Sequence, residues 1–146
     1  MAMDVVRKTR ALLLGLSLLC LGAAAGAQDV VIVANKGISA STISVAQLQD
    51  IFIGVRTRLS DGSKVVPVVL KGGPAHEVFL RKHVGDNPDE FRARWRKAVF
   101  TGQASMLKEC NTEKQLLEYV ATTPGAIGYA TRVSQTDDVK VLAVSP

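Results

Sequence analysis

The run Val65-Val66-Pro67-Val68-Val69-Leu70-Lys71-Gly72-Gly73-Pro74-Ala75-His76 sets the architecture of the chain. Its first half is apolar and β-branched, as in a strand, and a helical pattern begins after Pro74. A strand that leads into a helix through glycines leaves backbone N–H groups without partners at the positive end of the helix dipole. Such a loop is either a plain connection or a site for an anion such as phosphate, sulfate or a carboxylate. Pro67 has no N–H group, which predicts an edge position or a bulge for this strand.

Strands and helices alternate on both sides of this run. Apolar runs at residues 29–35, 126–130 and 139–144 predict three more strands. Capping residues at Ser44, Asn87 and Thr112 predict the starts of three helices, and a fourth helix is expected at residues 75–84. This alternation implies an α/β domain with a layered mixed sheet flanked by helices.

The N terminus has the pattern of an export signal. Arg7, Lys8 and Arg10 precede the apolar residues 11–21, and Ala25-Gly26-Ala27 is a small-x-small cleavage site. The apolar run is too short for a stable membrane span. We therefore expect residues 1–27 to be a signal peptide, residues 28–146 to be one periplasmic domain, and no stable membrane insertion after cleavage.

Charge and cysteine content narrow the class of protein. The predicted signal peptide contains three basic residues and one acidic residue. Without it, the chain has 15 basic and 12 acidic residues instead of 18 and 13, so its formal charge falls from +5 to +3. A mildly basic exported domain is a poor nucleic-acid-binding candidate but keeps a weak preference for anions. Cys110 is then the one remaining cysteine, which excludes an internal disulfide.

Several segments together resemble the periplasmic substrate-binding proteins of phosphate ABC transporters, in particular the short single-domain members with the type 2 periplasmic-binding-protein fold. The segments are Leu48-Gln49-Asp50-Ile51-Phe52-Ile53-Gly54, Asp61-Gly62-Ser63-Lys64-Val65-Val66-Pro67-Val68, Phe79, Trp95 with Phe100-Thr101-Gly102, and Thr123-Pro124-Gly125-Ala126-Ile127-Gly128-Tyr129. Full-length members of this family have two lobes with the anion between them. The resemblance therefore implies that this chain corresponds to one lobe.

The candidate anion site is the glycine loop together with a Ser/Thr-rich loop near the N terminus. Backbone amides around Gly72, Gly73, Ala75 and His76 are donors, and Lys71 supplies positive charge. In the family, the corresponding segment carries an Arg and hydroxyl groups, whereas here it has none of these hydroxyls and His76 stands where short relatives often have Arg. Hydroxyl groups from the other loop are additional donors: Ser39, Ser41 and Thr42.

Each of these residues also has a purely structural interpretation. The Ser/Thr loop suits an ordinary helix-capping connection, and Lys71 suits a solvated loop charge. His76 is expected to be exposed at the helix start, so that any binding that depends on it strengthens below about pH 6.5. His76 and His83 lie about 10 Å apart along a helix, too far to share a metal without further ligands, and we predict no metal and no cofactor.

Cys110 and a cluster of basic residues each have a functional interpretation beside a structural one. Cys110 has no neighbouring signature of an activated thiol, so an enzyme is not predicted. Basic residues cluster on two successive helices, either as a solvated face or as a docking surface for an acidic partner or anionic lipid: Arg81, Lys82, Arg92, Arg94, Arg96 and Lys97.

Two functions follow from the sequence. The first is non-catalytic recognition of phosphate or a related oxyanion, with an ABC permease or another envelope protein as partner. The second is an interaction or regulatory module of the cell envelope, derived from a binding-protein lobe that has lost its ligand.

Overall fold

A computed structural model describes residues 29–146, so the predicted signal peptide lies outside the described residues. Six strands form one sheet: β1 (Val31–Ala34), β2 (Thr42–Ser44), β3 (Val66–Leu70), β4 (Lys108–Cys110), β5 (Ala126–Ala130) and β6 (Lys140–Ser145). The helices are α1 (Val45–Phe52), α2 (Pro74–Phe79), α3 (Pro88–Phe100) and α4 (Glu113–Thr122). A π-helical turn, Leu80–Val84, continues α2, and a 3-10 turn, Gln135–Asp137, precedes β6.

The sheet is mixed, with the strand order β2-β6-β1-β5-β3-β4. Strand β3 is parallel to both of its neighbours, β4 and β5. Strand β1 is antiparallel to β5 and to β6, and β2 runs parallel to β6 at the opposite edge. The predicted layered mixed α/β fold is confirmed.

Helices cover both faces of the sheet, as two consecutive residues of β5 show. Successive side chains of a strand point to opposite faces. Tyr129 stacks on Phe79 of α2 with ring centroids 4.0 Å apart. On the other face a Cβ atom at Gly128 would lie 2.8 Å from Leu116 of α4, so glycine is needed for this helix to approach the strand. The core therefore has two layers, one on each side of β5.

Side-chain caps fix where the helices begin, as the sequence predicts. Ser44 and Gln47 form a complete capping box at α1, and Asn87 and Glu90 form another at α3. Thr112 accepts the N–H of Gln115 at the start of α4. Each cap satisfies N–H groups that the first turn leaves without intrahelical partners.

The position of Pro67 corrects the prediction that β3 lies at an edge or carries a bulge. Strand β3 lies between β4 and β5, in continuous register with β5. The N–H of Val66 donates to the carbonyl of Gly125 at 2.8 Å, so the next nitrogen along the strand faces β4. Pairing with β4 begins only at Val68, so the missing N–H of Pro67 removes no bond from the sheet.

Two strands, β2 and β4, were not predicted. Each has only three residues, of which one is buried, so neither gives a clear apolar run. Both form edges of the sheet, where one neighbouring strand supplies the pairing. Among residues 29–146, no helix is long and apolar enough to cross a membrane.

Candidate functional site

Three parallel strands end at the same edge of the sheet, because β4 and β5 both run parallel to β3. The carboxyl end of β3 leads into Lys71–Gly73, that of β4 into Asn111–Thr112, and that of β5 into Thr131. In open α/β sheets, ligands bind outside the carboxyl ends of the strands, next to helix N-termini. The fold therefore places the glycine loop where a ligand site is expected.

A depression of about 310 Å³ lies at these strand ends, and we refer to it as the strand-end depression. It is lined by Leu70, Gly72, Gly73, Pro74, Ala75, Asn111, Thr112, Glu113 and Thr131. Two helices begin at its border. At the start of α2, Gly73 has a φ of 95° and provides no side-chain cap, so the amides of the first turn are left to other acceptors. At the start of α4, the Thr112 hydroxyl oxygen accepts a backbone N–H within the helix.

A carboxylate already occupies donors in the strand-end depression. The N–H of Thr131 donates to Glu113 Oε1 at 3.0 Å, and Thr131 Oγ1 donates to Glu113 Oε2 at 2.8 Å. Glu113 lies in the first turn of α4, where the helix dipole favours negative charge. The depression thus holds an oxygen anion that belongs to the chain itself.

The predicted site residues of the glycine loop divide between two places. Gly72, Gly73 and Ala75 line the strand-end depression. Lys71 and His76 instead border a larger groove beside α3, with a volume of about 440 Å³. The loop is not one compact site, because the first turn of α2 rotates His76 away from the glycines.

His76 is buried, with 3% of its surface exposed, so the expectation of an exposed histidine is wrong. Its Nδ1 lies 2.6 Å from the hydroxyl of Tyr129, and that hydroxyl accepts the N–H of Leu70 at 2.9 Å. Burial, reinforced by the positive charge of Arg92, lowers the pKa of His76 below its usual value. Burial also raises the pKa of Tyr129. His76 is therefore harder to protonate than a free histidine, and any gain of positive charge shifts to a lower pH than the sequence predicts.

The Ser/Thr loop does not reach the glycine loop. Strands β6, β1 and β5 separate β2 from β3 by about 19 Å across the sheet, at ~4.8 Å per strand spacing. Strands β2 and β3 run in the same direction, so the loop before β2 and the loop after β3 also lie at opposite ends of the strands. Ser39 donates its hydroxyl proton to Asp61 at 2.5 Å, and this bond is the largest cause that lowers the pKa of Asp61 to about 2. Ser41 accepts the N–H of Ala143 through its backbone carbonyl, and Thr42 is an exposed residue of β2. These three residues form a separate surface with a carboxylate in it, and the structure does not join them to the glycine loop.

The cluster of basic residues on the π-helical turn and α3 is partly neutralised. Lys82 pairs with Asp29 at 2.7 Å, and Arg94 pairs with the buried Asp86 at 3.0 Å. Arg92 lies 3.6 Å from Asp89. The described residues include no ion pair for the other three members of the cluster: Arg81, Arg96 and Lys97.

No group of three or more potential metal ligands occurs within the described part of the chain. Cys110 is buried at the end of β4, and burial raises the pKa of its thiol. A raised pKa lowers the thiolate fraction, which is the opposite of what a nucleophilic cysteine requires.

Sequence reasoning did not identify the residues that complete the strand-end depression: Asn111, Thr112, Glu113 and Thr131. Thr112 was identified only as a helix cap. Thr131 follows the Gly-Tyr segment by two residues, and its contact with Glu113 spans 18 positions. Only the parallel pairing of β3, β4 and β5 brings these residues to the glycine loop.

Comparison with known proteins bears on the fold. No protein-family model matches the chain, and no curated protein sequence matches it. Solved structures do match. An ABC-type phosphate transport receptor from Vibrio cholerae gives a TM-score of 0.56 at 16% identity over 79% of this chain and 45% of the receptor.

Two further structures give similar values. A protein from Clostridium perfringens, described as a phosphate ABC transporter substrate-binding protein and solved with bound phosphate, has a TM-score of 0.53 at 16% identity, covering 79% of this chain and 44% of that one. A protein from Planctomyces limnophilus, described as a possible phosphate-binding protein, has a TM-score of 0.52 at 15% identity, covering 80% and 41%. The chain thus spans less than half the length of each of these proteins. It has the fold of one lobe of a periplasmic binding protein.

Proposed function

We propose that the chain is a non-catalytic, periplasmic solute-binding-type domain that recognises phosphate or a related oxyanion at the strand-end depression. The observation that carries this proposal is the Glu113 carboxylate, which accepts hydrogen bonds from both the N–H and the hydroxyl of Thr131. A position that holds a carboxylate through two donors has the chemistry to hold an oxygen of phosphate or sulfate.

A further donor lies at the start of α2. The amide of Ala75, which borders the depression, belongs to the first turn and has no intrahelical carbonyl to bond to. Pro74 contributes no N–H, so the helix offers fewer donors than a Gly-Ser-Gly-Thr loop would. Thr131 supplies the hydroxyl group that the glycine loop itself lacks.

Glu113 is an internal competitor for this site. A dianion that enters the depression must displace the Glu113 side chain from Thr131, or share the site with its negative charge at a Coulombic cost. We therefore expect the wild-type chain to bind phosphate only in the millimolar range. Replacing the carboxylate by an amide removes the repulsion, so Glu113→Gln strengthens binding at least tenfold.

Isothermal titration with phosphate, sulfate and molybdate tests this proposal. The full sequence is expressed with a C-terminal affinity tag, and the exported protein is purified. Glu118→Gln is the matched control, since Glu118 is an exposed acid of the same helix that lies 3.9 Å from Lys114. Thr131→Val removes the hydroxyl at nearly constant volume and should abolish the heat of binding. Absence of heat and of any thermal shift at millimolar ligand, in wild type and in Glu113→Gln, would exclude direct oxyanion binding.

A second candidate is an interaction or regulatory module of the cell envelope. The same contact favours it, because a carboxylate that permanently occupies the Thr131 donors would leave no site for a ligand. In that case an ABC permease or another envelope protein is the partner. Capture of such a partner by the tagged chain from a periplasmic extract, with no oxyanion binding by Glu113→Gln, would select this function over the first.

A further inference from the structure

A second cavity, separate from the strand-end depression, lies between α3, the carboxyl end of β3 and the segment 106–109 that leads into β4. We call it the α3 groove, and its volume is about 440 Å³, within the range of small-molecule sites. Its inner surface is apolar and includes the buried side chains of Val69, Phe91 and Trp95. Phe100 and Met106 border its mouth and are 91% and 87% exposed. Exposed apolar side chains that form a contiguous patch with an apolar groove are typical of a binding surface.

A donor of the His76 ring opens towards this groove. Tyr129 accepts the N–H of Leu70 and can donate its own proton to Nδ1 of His76, and in that arrangement the ring proton of His76 lies on Nε2. Among residues 29–146, Nε2 has no hydrogen-bond partner and is not one of the fully buried atoms that lack one, so it belongs to the small exposed part of the His76 side chain. The ring borders the groove, where a ligand oxygen can accept the Nε2 proton.

The charges that border the groove are mainly positive. Lys71, Arg92 and Arg96 line it, against the single carboxylate of Glu109. Arg92 is close enough to His76 for its charge to affect the ring. The described residues contain no acidic partner for Lys71 or Arg96, and Arg92 has only the exposed Asp89 at 3.6 Å. The groove thus combines an apolar interior with two or more free cations at one side.

We propose that the α3 groove binds a small organic acid with an apolar body, a medium-chain monocarboxylate. The carboxylate lies beside Arg92 and Arg96 and accepts the Nε2 proton of His76. The hydrocarbon chain lies along Phe91 and Trp95 towards Met106. This site takes a different class of ligand from the strand-end depression and does not depend on it.

Trp95 is the only tryptophan of the chain, so its fluorescence reports directly on the groove. The exported protein is titrated with decanoate and octanoate below their micelle-forming concentrations, and with decanol below its solubility limit. We expect a saturable change with decanoate. Octanoate should bind about fifteenfold more weakly, since each buried methylene contributes about fourfold. Decanol should bind at least tenfold more weakly, because it carries no charge for the arginines.

Two double variants distinguish the effect of the arginines that line the groove from the effect of the protein's overall net charge. Arg92→Gln with Arg96→Gln removes the two groove arginines and should weaken decanoate binding at least tenfold, with decanol unchanged. Arg81→Gln with Lys97→Gln removes the same net charge from exposed positions outside the groove and should leave decanoate binding unchanged. All four side chains are exposed, so both variants are expected to fold, and far-UV circular dichroism verifies this.

The proposal is overturned if Trp95 shows no saturable response to decanoate, if decanol binds as tightly as decanoate, or if the two double variants weaken binding equally. It is also overturned if sedimentation shows a dimer whose contact protects Trp95 from an aqueous quencher. In that case the groove is covered by a second copy of the chain.

Discussion

The substitution Tyr129→Phe tests how much the buried hydroxyl of Tyr129 contributes to the stability of the domain. Its hydroxyl accepts the N–H of Leu70 at 2.9 Å and lies 2.6 Å from Nδ1 of His76, both in the buried core. Tyr129→Phe keeps the ring that stacks on Phe79 but leaves these two polar groups without a partner. An unsatisfied buried donor or acceptor costs about 1–3 kcal/mol, so we expect a loss of about 2–4 kcal/mol in the free energy of unfolding.

The assay is urea unfolding followed by the fluorescence of Trp95 and by circular dichroism. A loss of this size lowers the urea midpoint by roughly 1–2 M at a typical dependence of ~2 kcal/mol per M. Tyr119→Phe is the matched control, because the Tyr119 hydroxyl has no hydrogen-bond partner within residues 29–146 and its ring keeps the contact with Lys108. The control should change stability by less than about 0.5 kcal/mol.

Equal stabilities for Tyr129→Phe and Tyr119→Phe would refute the reasoning, since the buried hydroxyl would then contribute nothing. A double-mutant cycle with His76→Leu isolates the contact between His76 and Tyr129. We expect a coupling free energy of at least ~0.5 kcal/mol, and perfect additivity would show that the 2.6 Å contact carries no energy.

Three further predictions concern other parts of the chain. Asn87→Ala removes the cap that accepts the N–H groups of Asp89 and Glu90, so urea unfolding should show a loss of about 1 kcal/mol in stability. Ser105→Ala, at an exposed loop position, is the control and should have almost no effect. Burial lowers the pKa values of His76 and His83, so the unfolded chain binds more protons below about pH 6.5, and stability present above that pH should be lost as pH falls towards 5. The decrease should be shallower in His83→Gln, and identical pH profiles would contradict this. Intact-mass measurement of the exported protein should give a chain that begins at Gln28, and a mass that retains residues 1–27 would contradict the predicted signal peptide.

The main elements of the fold could be predicted because their signals are local. Residues 29–35, 126–130 and 139–144 are apolar runs, and Ser44, Asn87 and Thr112 are caps whose partners lie two or three positions away. Strands β2 and β4 could not be predicted, because each has only three residues and gains its pairing from a distant strand. The π-helical turn at Leu80–Val84 has no local sequence signal that we can identify.

The candidate site was only partly predictable for the same reason. The glycine loop lies at the carboxyl end of β3, as a strand followed by glycines and a helix implies. Thr131 and Glu113 enter the site through the pairing of strands 40 or more residues apart in sequence, which no local pattern encodes. The burial of His76 follows from the first turn of α2, which directs its ring onto Tyr129.

The central claim is that the strand-end depression is an oxyanion site whose donors Glu113 now occupies. The measurement that tests it most directly is phosphate titration of Glu113→Gln beside wild type and Glu118→Gln. The account predicts binding at least tenfold tighter in Glu113→Gln than in the other two, and loss of that binding when Thr131→Val is added. Equal affinities in all three proteins, or no heat in any of them at millimolar phosphate, would contradict it.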